Sequence, residues 1–488
     1  MKSLNNLLQQ KPVFLFVLPL FFVLHNLIEI YQPYLLSAAA KLVFVYTAAG
    51  TGLAILFWIL LKNWRNACIL SFFVLSFNFF FGSCFDFLKN HFGYVFFLRF
   101  RFIIPAIAIL IILAFIYLKK TKNRFTRLYL FLNCLFLLLI TIDTINILLQ
   151  VRKNTPVYAT NLDTEYKSCD TCKKPDIYLI ITDEYAGKQT LNEVFKFDNQ
   201  EFEKGLEQRG FHIINGTKSN YNGTIYSMAS FFGMGYIKNL KDTFVNHFDM
   251  FGCQEIIKEN NFQYFLKSTD YEIFNCSIFE FGNKKNFIRS PFSITKKDYF
   301  ISQTFIRRFI ISVGFNFVNK TEIQKGGKQQ LHHNIETFDA ALKIPLKKSV
   351  RPKFTYIHLM LPHRPYYFDK NGNLTAPEIF DESARYNQDA YLNYLQYSNK
   401  KFLTLIDSIQ KKSTFPPIIM LMSDHGFRQF KDPKFNPYYF INFSAIYKPD
   451  GNYAGFNDSL TNVNYLRVLL NNQFNQKLPI LKDSFFFR

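Results

Sequence analysis

Five long apolar stretches occupy the first 150 residues of this 488-residue chain and constrain its fold more than any other feature. They lie at about residues 13–32, 42–61, 67–88, 100–118 and 128–150. A helix needs roughly 20 mostly apolar residues to cross the hydrocarbon core of a bilayer. Each stretch alone is compatible with a buried core helix, but five in succession predict a transmembrane bundle. The first stretch is too long for a cleaved signal peptide, and no small-residue cleavage site follows it.

The charges between these stretches predict the orientation of the bundle. With the N-terminus inside, nine basic residues lie on the cytoplasmic side, including those of the 62–65 loop and the 119–127 cluster. The smaller set on the outer side is Lys41, Lys89, Arg99 and Arg101. Because basic loops stay in the cytoplasm, an odd number of spans exports everything after residue 150. The sequence thus predicts a multi-pass protein of the plasma (inner) membrane with an extracytoplasmic, periplasmic second half.

The distribution of charge also bears on partners. Residues 1–153 carry fifteen Lys and Arg against three acids, whereas the rest carries forty-two against thirty-three. The three acids, Glu29, Asp86 and Asp143, lie near the predicted helix ends and are expected at the membrane interface. No compact Lys/Arg run marks the second half, which argues against nucleic-acid binding. Scattered surface lysines explain most of its excess charge, and attraction to membrane lipid or an anionic substrate is compatible with it.

The seven cysteines fall into two groups. Cys68, Cys84 and Cys134 lie in the apolar stretches and are expected to be packing residues. The other four, Cys169, Cys172, Cys253 and Cys276, lie in the second half, where an oxidising compartment permits disulfides. Cys169 and Cys172 form a C-x-x-C pair, and a redox or metal role needs a fold context or a second pair that is missing. We expect a small structural disulfide there, and the pairing of the other two stays open.

After a polar segment, 151–174, that we interpret as a linker, three short apolar runs predict buried parallel strands. They are DIYLIITD (176–183), TYIHLM (355–360) and IIMLM (418–422). An amphipathic stretch with apolar residues at helical spacing from 392 to 409 separates the last two. This alternation is typical of a doubly wound α/β sheet, in which ligands bind beyond the carboxyl ends of the strands.

Polar, chemically active side chains follow each run. The first ends in Asp183 and Glu184, the second in the element Pro362–Pro365 with His363, and the third in Asp424 and His425. One Asp-His pair after a strand is as compatible with helix capping as with a site. A second acidic pair at the same sheet edge favours a divalent cation. His358 lies within a strand and is interpreted as a core histidine slightly more readily than as a site residue, and His332–His333 is assigned no role.

These elements together resemble the alkaline phosphatase superfamily and its sulfatase-like branch, over about residues 174–475. Sulfatases have an apolar strand ending in paired acids, then a nucleophile motif C-x-P-S-R-A-S. Residues 224–230, TIYSMAS, stand there, 41 residues after Asp183. The P-H-x-P and S-D-H-G elements of the family match 362–365 and 423–426.

Two departures favour phospho-group transfer over sulfate-ester hydrolysis. Thr224 stands where a sulfatase needs Cys or Ser, and Met228 replaces the arginine of the motif. In this respect the chain resembles lipoteichoic acid synthases and phosphoethanolamine transferases, which join a five-helix anchor to an extracytoplasmic domain. The resemblance implies one divalent metal ion, of Mn, Ca, Mg or Zn, held by the following residues: Asp183, Thr224, Asp424 and His425, with Glu184 as a weaker candidate. It also implies that Thr224 is the nucleophile and that His363 contacts the phosphate or protonates the leaving group.

The predicted fold is therefore a transmembrane bundle of about five helices followed by an α/β sulfatase-like domain with a mainly parallel central sheet. The predicted domains are an anchor at 1–150, a linker at 151–174 and a catalytic domain at 175–488, in which 230–350 is an insertion or substrate-facing region of open role. The predicted function is transfer of a phospho-group, such as a phospholipid headgroup, to a lipid or glycan acceptor. The predicted partners are membrane lipid and an anionic phospho- or sulfo-ester substrate. A sulfatase or phosphodiesterase of the same fold and a membrane-tethered pseudoenzyme with a binding role are the alternatives.

Overall fold

The chain forms two compact units in a computed structural model. The model describes residues 2–28, 36–92, 96–153, 166, 169, 171–238, 240, 247–285, 287, 300–312, 320–376 and 382–488. The first unit comprises Met1–Val157 and Ile294–Val318, and the second comprises Tyr158–Ser293 and Asn319–Arg488. The described residues 300–312 belong to the first unit, although they lie within the predicted catalytic domain at 175–488. Of the predicted linker, residues 154–165, 167–168 and 170 lie outside the described residues.

Helices, most of them apolar, build the first unit. They are α1 (Lys2–Gln10), α2 (Phe14–Ile28), α3 (Leu36–Leu61), α4 (Trp64–Phe92), α5 (Phe100–Lys120) and α6 (Thr126–Lys153), with a 3-10 turn at Phe96–Leu98. The four helices from α3 to α6 are long and apolar enough to cross a membrane. Helix α2 is equally apolar but has 15 residues, and the end of the predicted first span, 29–32, lies outside the described residues.

Buried polar side chains lie inside this bundle. Asn133 accepts a hydrogen bond from the Phe14 N–H at 2.6 Å and donates to the carbonyl oxygens of Leu8 and Lys11 at 2.7 and 2.9 Å, which joins the α1–α2 connection to α6. Asp143 is 5% exposed, with a carboxylate oxygen 3.2 Å from Nδ1 of His25. The Asp143 side chain is therefore buried within the bundle and faces α2.

The second unit contains a six-stranded sheet of order β2-β6-β5-β1-β4-β3. Its strands are β1 (Ile177–Thr182), β2 (His212–Ile213), β3 (Glu272–Cys276), β4 (Lys353–Leu359), β5 (Ile418–Ser423) and β6 (Ser444–Tyr447). Strands β3, β4, β1 and β5 are mutually parallel, while β6 is antiparallel to β5 and β2. All residues of β1, β4 and β5 are buried, as their nearly continuous apolar runs predict.

Helices surround this sheet in sequence. They are α7 (Lys188–Glu193), α8 (Gln200–Glu207), α9 (Thr224–Gly233), α10 (His247–Lys258), α11 (Asn261–Ser268), α13 (Lys320–Lys343), α14 (Gln388–Lys412) and α15 (Asn462–Phe474), with 3-10 turns at Ile344–Leu346, Glu382–Tyr386 and Pro433–Phe440. The predicted amphipathic stretch is α14, whose start is capped by the Asn387 side chain accepting from the Ala390 N–H. Its apolar face, with Leu395, Phe402 and Ile406, is fully buried in the core.

The region 230–350 contains more regular structure than a loop. It holds β3, α10, α11 and α13, together with α12 (Phe305–Ser312), which belongs to the first unit and packs on α4. The predicted fold class is confirmed: apolar helices precede an α/β unit with a mixed, mostly parallel sheet. In that sheet β5, β1 and β4 are neighbours, so the segments following them meet at one edge.

Candidate active site

The turn after β1 places two acids at this edge. The Asp183 N–H donates to the carbonyl oxygen of Leu359 at 3.1 Å, which continues the pairing with β4 for one more residue. Glu184 has φ +62, a left-handed conformation that is uncommon outside glycine. This conformation turns the Glu184 N–H toward Oδ1 of Asp424 at 3.1 Å. The backbone after β1 is thereby joined to both neighbouring strands.

Thr224 reaches the same place from a helix. It is the first residue of α9, preceded by the extended Gly223. The next turn of α9 is bonded to the end of β5, because the Ser227 hydroxyl donates to the carbonyl oxygen of Asp424 at 2.5 Å. As a result, Oγ1 of the half-buried Thr224 lies 3.2 Å from Nε2 of His425.

The surroundings of His425 determine which ring nitrogen carries its proton. Nδ1 lies 2.8 Å from the carbonyl oxygen of Gly426, so it must be the donor. Nε2 then presents a lone pair to Thr224 Oγ1, with Asp424 Oδ2 at 3.3 Å and Asp183 Oδ1 at 4.0 Å. Burial lowers the pKa of His425, so the ring is neutral. Lone pairs of nitrogen and carboxylate therefore face each other, an arrangement that a cation stabilises.

Three buried carboxylates each use one oxygen for protein contacts and leave the other without a hydrogen bond in the described structure. Asp424 Oδ1 accepts the N–H groups of Glu184 and His425, and Asp183 Oδ2 lies 3.3 Å from His358 Nε2. Glu184 Oε1 accepts from the Arg428 N–H at 3.0 Å and from Gln429 Nε2 at 2.8 Å. The unsatisfied atoms are Asp183 Oδ1, Glu184 Oε2 and Asp424 Oδ2. Buried unpaired carboxylate oxygens are costly, so these residues fit a bound cation.

The pKa shifts separate the two acids after β1. Burial and the neighbouring charge of Asp424 raise the pKa of Asp183 well above its ordinary value, by more than the positive charges of His363 and Arg428 lower it. Burial also raises the pKa of Glu184, but the charges of His363 and Arg428 outweigh it and the net pKa is lowered. The charge of Glu184 is thus balanced by the protein, whereas the charge of Asp183 is not.

His363 lies on the Glu184 side of the site. Its Nδ1 is 2.5 Å from the carbonyl oxygen of Arg364, and its Nε2 is 3.7 Å from Glu184 Oε2. The side chain is buried, with 7% of its surface exposed. The structure thus brings the predicted residues to one edge, with Asp183, Thr224, Asp424 and His425 in one group and Glu184 and His363 beside it.

His358 lies in the same cluster of buried side chains, although the sequence pattern did not single it out. Ligand atoms of Asp183, His358 and Asp424 all lie within 4.8 Å of one another, and all three residues are buried. Strand alternation places His358 on a sheet face, as predicted. His358 is also the second-to-last residue of β4, where it pairs with Ile181 of β1 near the edge of the sheet. The sequence signal that could have found His358 was its position one residue before the end of the strand, because a long side chain there reaches the edge of the sheet. Tyr356 OH, 3.0 Å from Nδ1, holds the ring in place.

Comparison with known proteins gives structural neighbours only. No protein-family model and no curated protein matches the chain. Among solved structures, the C-terminal periplasmic domain of EptC from Escherichia coli in complex with Zn has a TM-score of 0.38 at 10% identity, covering 65% of this chain and 84% of that one.

Two further structures are similar. The lipooligosaccharide phosphoethanolamine transferase A (EptA) of Neisseria meningitidis, an integral membrane protein, has a TM-score of 0.37 at 11% identity, over 94% of this chain and 95% of that one. An alkaline phosphatase superfamily protein from Vibrio parahaemolyticus has a TM-score of 0.35 at 12% identity, over 63% and 71%. The resemblance predicted from the motifs is found. Because the TM-scores are this low, function has to be inferred from the chain's own residues.

Proposed function

We propose that this chain is a membrane-anchored, metal-dependent transferase that uses Thr224 to move a phospho-group, such as a phospholipid headgroup, onto a lipid or glycan hydroxyl. The observation that carries the proposal is the 3.2 Å contact between Thr224 Oγ1 and the unprotonated Nε2 of His425, beside buried carboxylates with unpaired oxygens. The anchor lies in the plasma (inner) membrane, and the second unit is extracytoplasmic.

The residues that would hold a divalent ion are Asp183, Asp424 and His425 together with Thr224. Carboxylate oxygens, a hydroxyl and one imidazole suit Mn, Ca, Mg or Zn. When bound, such an ion would favour the ionised form of the Thr224 hydroxyl and neutralise charge on a phosphoryl oxygen. His358 stands beside this group, and its neutral ring orients Asp183. We assign Glu184 to the His363 side, because its charge is already balanced by the protein.

The residues of the chain support a two-step transfer. Thr224 Oγ1 loses its proton to solvent and bonds to phosphorus, while the ester bond from phosphorus to the leaving oxygen breaks. His363 gives a proton to that oxygen and regains one from solvent. An acceptor hydroxyl then attacks the same phosphorus, loses its proton to solvent, and breaks the bond to Thr224, which is reprotonated. The amino end of α9, where Thr224 lies, favours the negative charge of the phospho-group.

Substitution of the nucleophile tests the proposal. We expect Thr224→Ala to abolish release of diacylglycerol from a labelled phospholipid in mixed micelles while the ion stays bound, and Thr224→Ser to keep measurable activity. Intact-mass analysis of the unsubstituted protein should show a phospho-group on residue 224. A matched control is Thr404→Ala, since Thr404 is exposed on α14 and donates only to Lys400 O. Normal turnover by Thr224→Ala contradicts the assignment.

The residues proposed to bind the ion are tested by metal analysis, separately from turnover. Asp424→Asn is expected to lose the ion in metal analysis of purified protein, and Glu184→Gln is expected to retain it. Asp407→Asn, which alters a surface partner of Arg209, is the control. A metal-free unsubstituted protein in metal-replete buffer supports the binding role of a pseudoenzyme. Release of the free headgroup into solution, instead of its attachment to an acceptor, supports the alternative function of a hydrolase.

A further inference from the structure

An apolar cavity of 320 Å³ lies between α4 and the start of α5 in the first unit. Nine side chains line it, eight of them Phe, Leu or Ile, and these include Phe77, Phe81, Phe85 and Phe97. The ninth is Cys84, an exposed free cysteine. The volume falls in the range of small-molecule sites, about 300–1,000 Å³. The lining excludes a polar ligand and suits a hydrocarbon chain.

The neighbouring polar face of α4 is already occupied by protein. Asn78, Gly82 and Asp86 follow one another at four-residue intervals and therefore share a face. Asn78 Oδ1 accepts from the Ile306 N–H at 3.2 Å, and the Gly82 N–H donates to the Gln303 carbonyl oxygen at 2.8 Å. A side chain at position 82 would overlap the backbone of Gln303, which explains the glycine.

The end of that face binds α12 by charge. Arg308 donates to both oxygens of Asp86, at 2.9 and 2.7 Å. Phe305 then packs against the rings of Phe77 and Phe81, at 5.2 and 5.0 Å between centroids, yet it does not line the cavity. Segment 302–308 thus covers the polar face of α4, and none of its residues lines the cavity beside it.

The depth of the cavity matches one leaflet of a bilayer. Helix α4 begins at Trp64, after the basic loop predicted to be cytoplasmic, so Phe77–Leu88 belongs to its outer half. Eleven residues of helix rise roughly 16 Å, about half of the ~30 Å hydrocarbon core. With the predicted orientation, the lining residues therefore span the outer leaflet.

Two arginines stand at the outer rim. Arg99 and Arg101 are exposed and flank Phe100, the first residue of α5, between the lining residues Leu98 and Ile103. The acid nearest to this region in the sequence, Asp86, is already bound by Arg308. Neither arginine forms an ion pair with another described residue, and the Arg101 guanidinium lies over the Phe102 ring, 4.9 Å from its centroid. Guanidinium groups at this depth pair well with a phosphate.

We propose that this cavity holds an acyl chain of an outer-leaflet glycerophospholipid whose phosphate is bound by Arg99 and Arg101. The apolar lining, the leaflet-deep position and the unpaired basic rim are complementary to such a lipid in both hydrophobicity and charge. The proposal rests on the proposed function in one respect only, that the bound lipid is the donor of the phospho-group.

Lipid retention by the full-length, metal-loaded protein tests the site. The probe is palmitoyl-oleoyl phosphatidylethanolamine added to detergent-solubilised protein, with binding measured by native mass spectrometry. Cys84→Phe fills the cavity, and Cys134→Phe makes the same change at an exposed cysteine of α6 that does not line it. We expect Cys84→Phe to weaken lipid binding at least about tenfold and Cys134→Phe to leave it unchanged. Equal binding by both variants overturns the proposal.

Two further measurements keep the result unambiguous. The double variant R99Q/R101Q removes both guanidinium charges without changing any cavity-lining side chain and should weaken binding of the same lipid, whereas glycerophosphoethanolamine, which lacks chains, should not bind the unsubstituted protein. Retained lipid binding in R99Q/R101Q contradicts the phosphate site.

Turnover is then assayed: if the proposed function is correct, Cys84→Phe raises KM for phospholipid with little change in kcat. Loss of binding without any change in KM keeps the lipid site but removes its link to the reaction.

Discussion

The hydroxyl of Thr224 lies 3.2 Å from Nε2 of His425, a nitrogen without a proton because Nδ1 of the same ring donates to the Gly426 carbonyl oxygen. Two residues 201 positions apart in the chain thus present a nucleophile to a neutral imidazole. Asp424 and Asp183 add carboxylate oxygens at 3.3 and 4.0 Å from the same nitrogen. This relationship underlies the proposed chemistry, and several measurable consequences derive from it and from the groups around it.

The effect of a bound ion on stability should grow with pH. Burial and the Asp424 charge hold the pKa of Asp183 above its ordinary value. The metal-free fold is therefore most favoured while Asp183 keeps its proton, and it loses that contribution as pH rises from the ordinary Asp range through the raised pKa. An ion compensates the ionised carboxylate. We expect the difference in melting temperature between metal-loaded and chelator-treated protein to increase from about pH 5 to about pH 8.

Asp183→Asn provides the control for this pH dependence. The amide does not titrate, so the variant should show a smaller metal effect that changes little over the same pH range. If the unsubstituted protein shows a constant difference in melting temperature, Asp183 is not the group responsible.

His358 should contribute to metal affinity by orienting Asp183. We expect His358→Gln to weaken binding of the ion about 10- to 100-fold, the usual effect of removing a group that positions a ligand. Competition with a metallochromic indicator measures this. His332→Gln is the matched control, because His332 is exposed on α13 and pairs with Glu336. A complete loss of the ion in His358→Gln would instead identify His358 as a direct ligand.

Gly426 should tolerate no side chain. A Cβ at this position would overlap the carbonyl oxygens of Tyr438 and Ile441, which belong to the backbone and have no room to move. We expect Gly426→Ala to destabilise the second unit by about 3 kcal/mol, at the upper end of the cost of overpacking. Chemical denaturation followed by fluorescence checks this value. Gly451→Ala, with open space around the position but a positive φ, should cost less.

The ion pair between Asp86 and Arg308 should show coupling in a double-mutant cycle. The side chain of Asp86 is 36% exposed and that of Arg308 is 23% exposed, so we expect a coupling free energy of only about 1 kcal/mol. The bidentate geometry of the pair favours this contribution. Asp86→Asn and Arg308→Gln are combined, and thermal unfolding is measured in detergent. Independent, additive effects of the two substitutions show that α12 does not depend on this pair.

Local patterns in the sequence predicted much of the architecture. The long apolar runs of α3 to α6 and the buried runs of β1, β4 and β5 depend on composition and periodicity, which neighbouring residues specify among themselves. The meeting of Asp183, Asp424 and His425 at one sheet edge could also be predicted from the sequence, because strand ends in a parallel sheet share an edge. Thr224 could be predicted from its place in the TIYSMAS motif.

Other features depend on contacts between distant parts of the chain. The position of His358 beside Asp183 follows from the β1–β4 register, and the proposed grouping of Glu184 with His363 follows from Arg428 and Gln429, some 245 residues away. The attachment of α12 to α4 joins positions more than 200 residues apart, through Asn78, Gly82 and Asp86. A one-dimensional pattern specifies which segments are apolar and which side chains are reactive. Which of them meet, and which charges remain unbalanced, depends on packing in three dimensions.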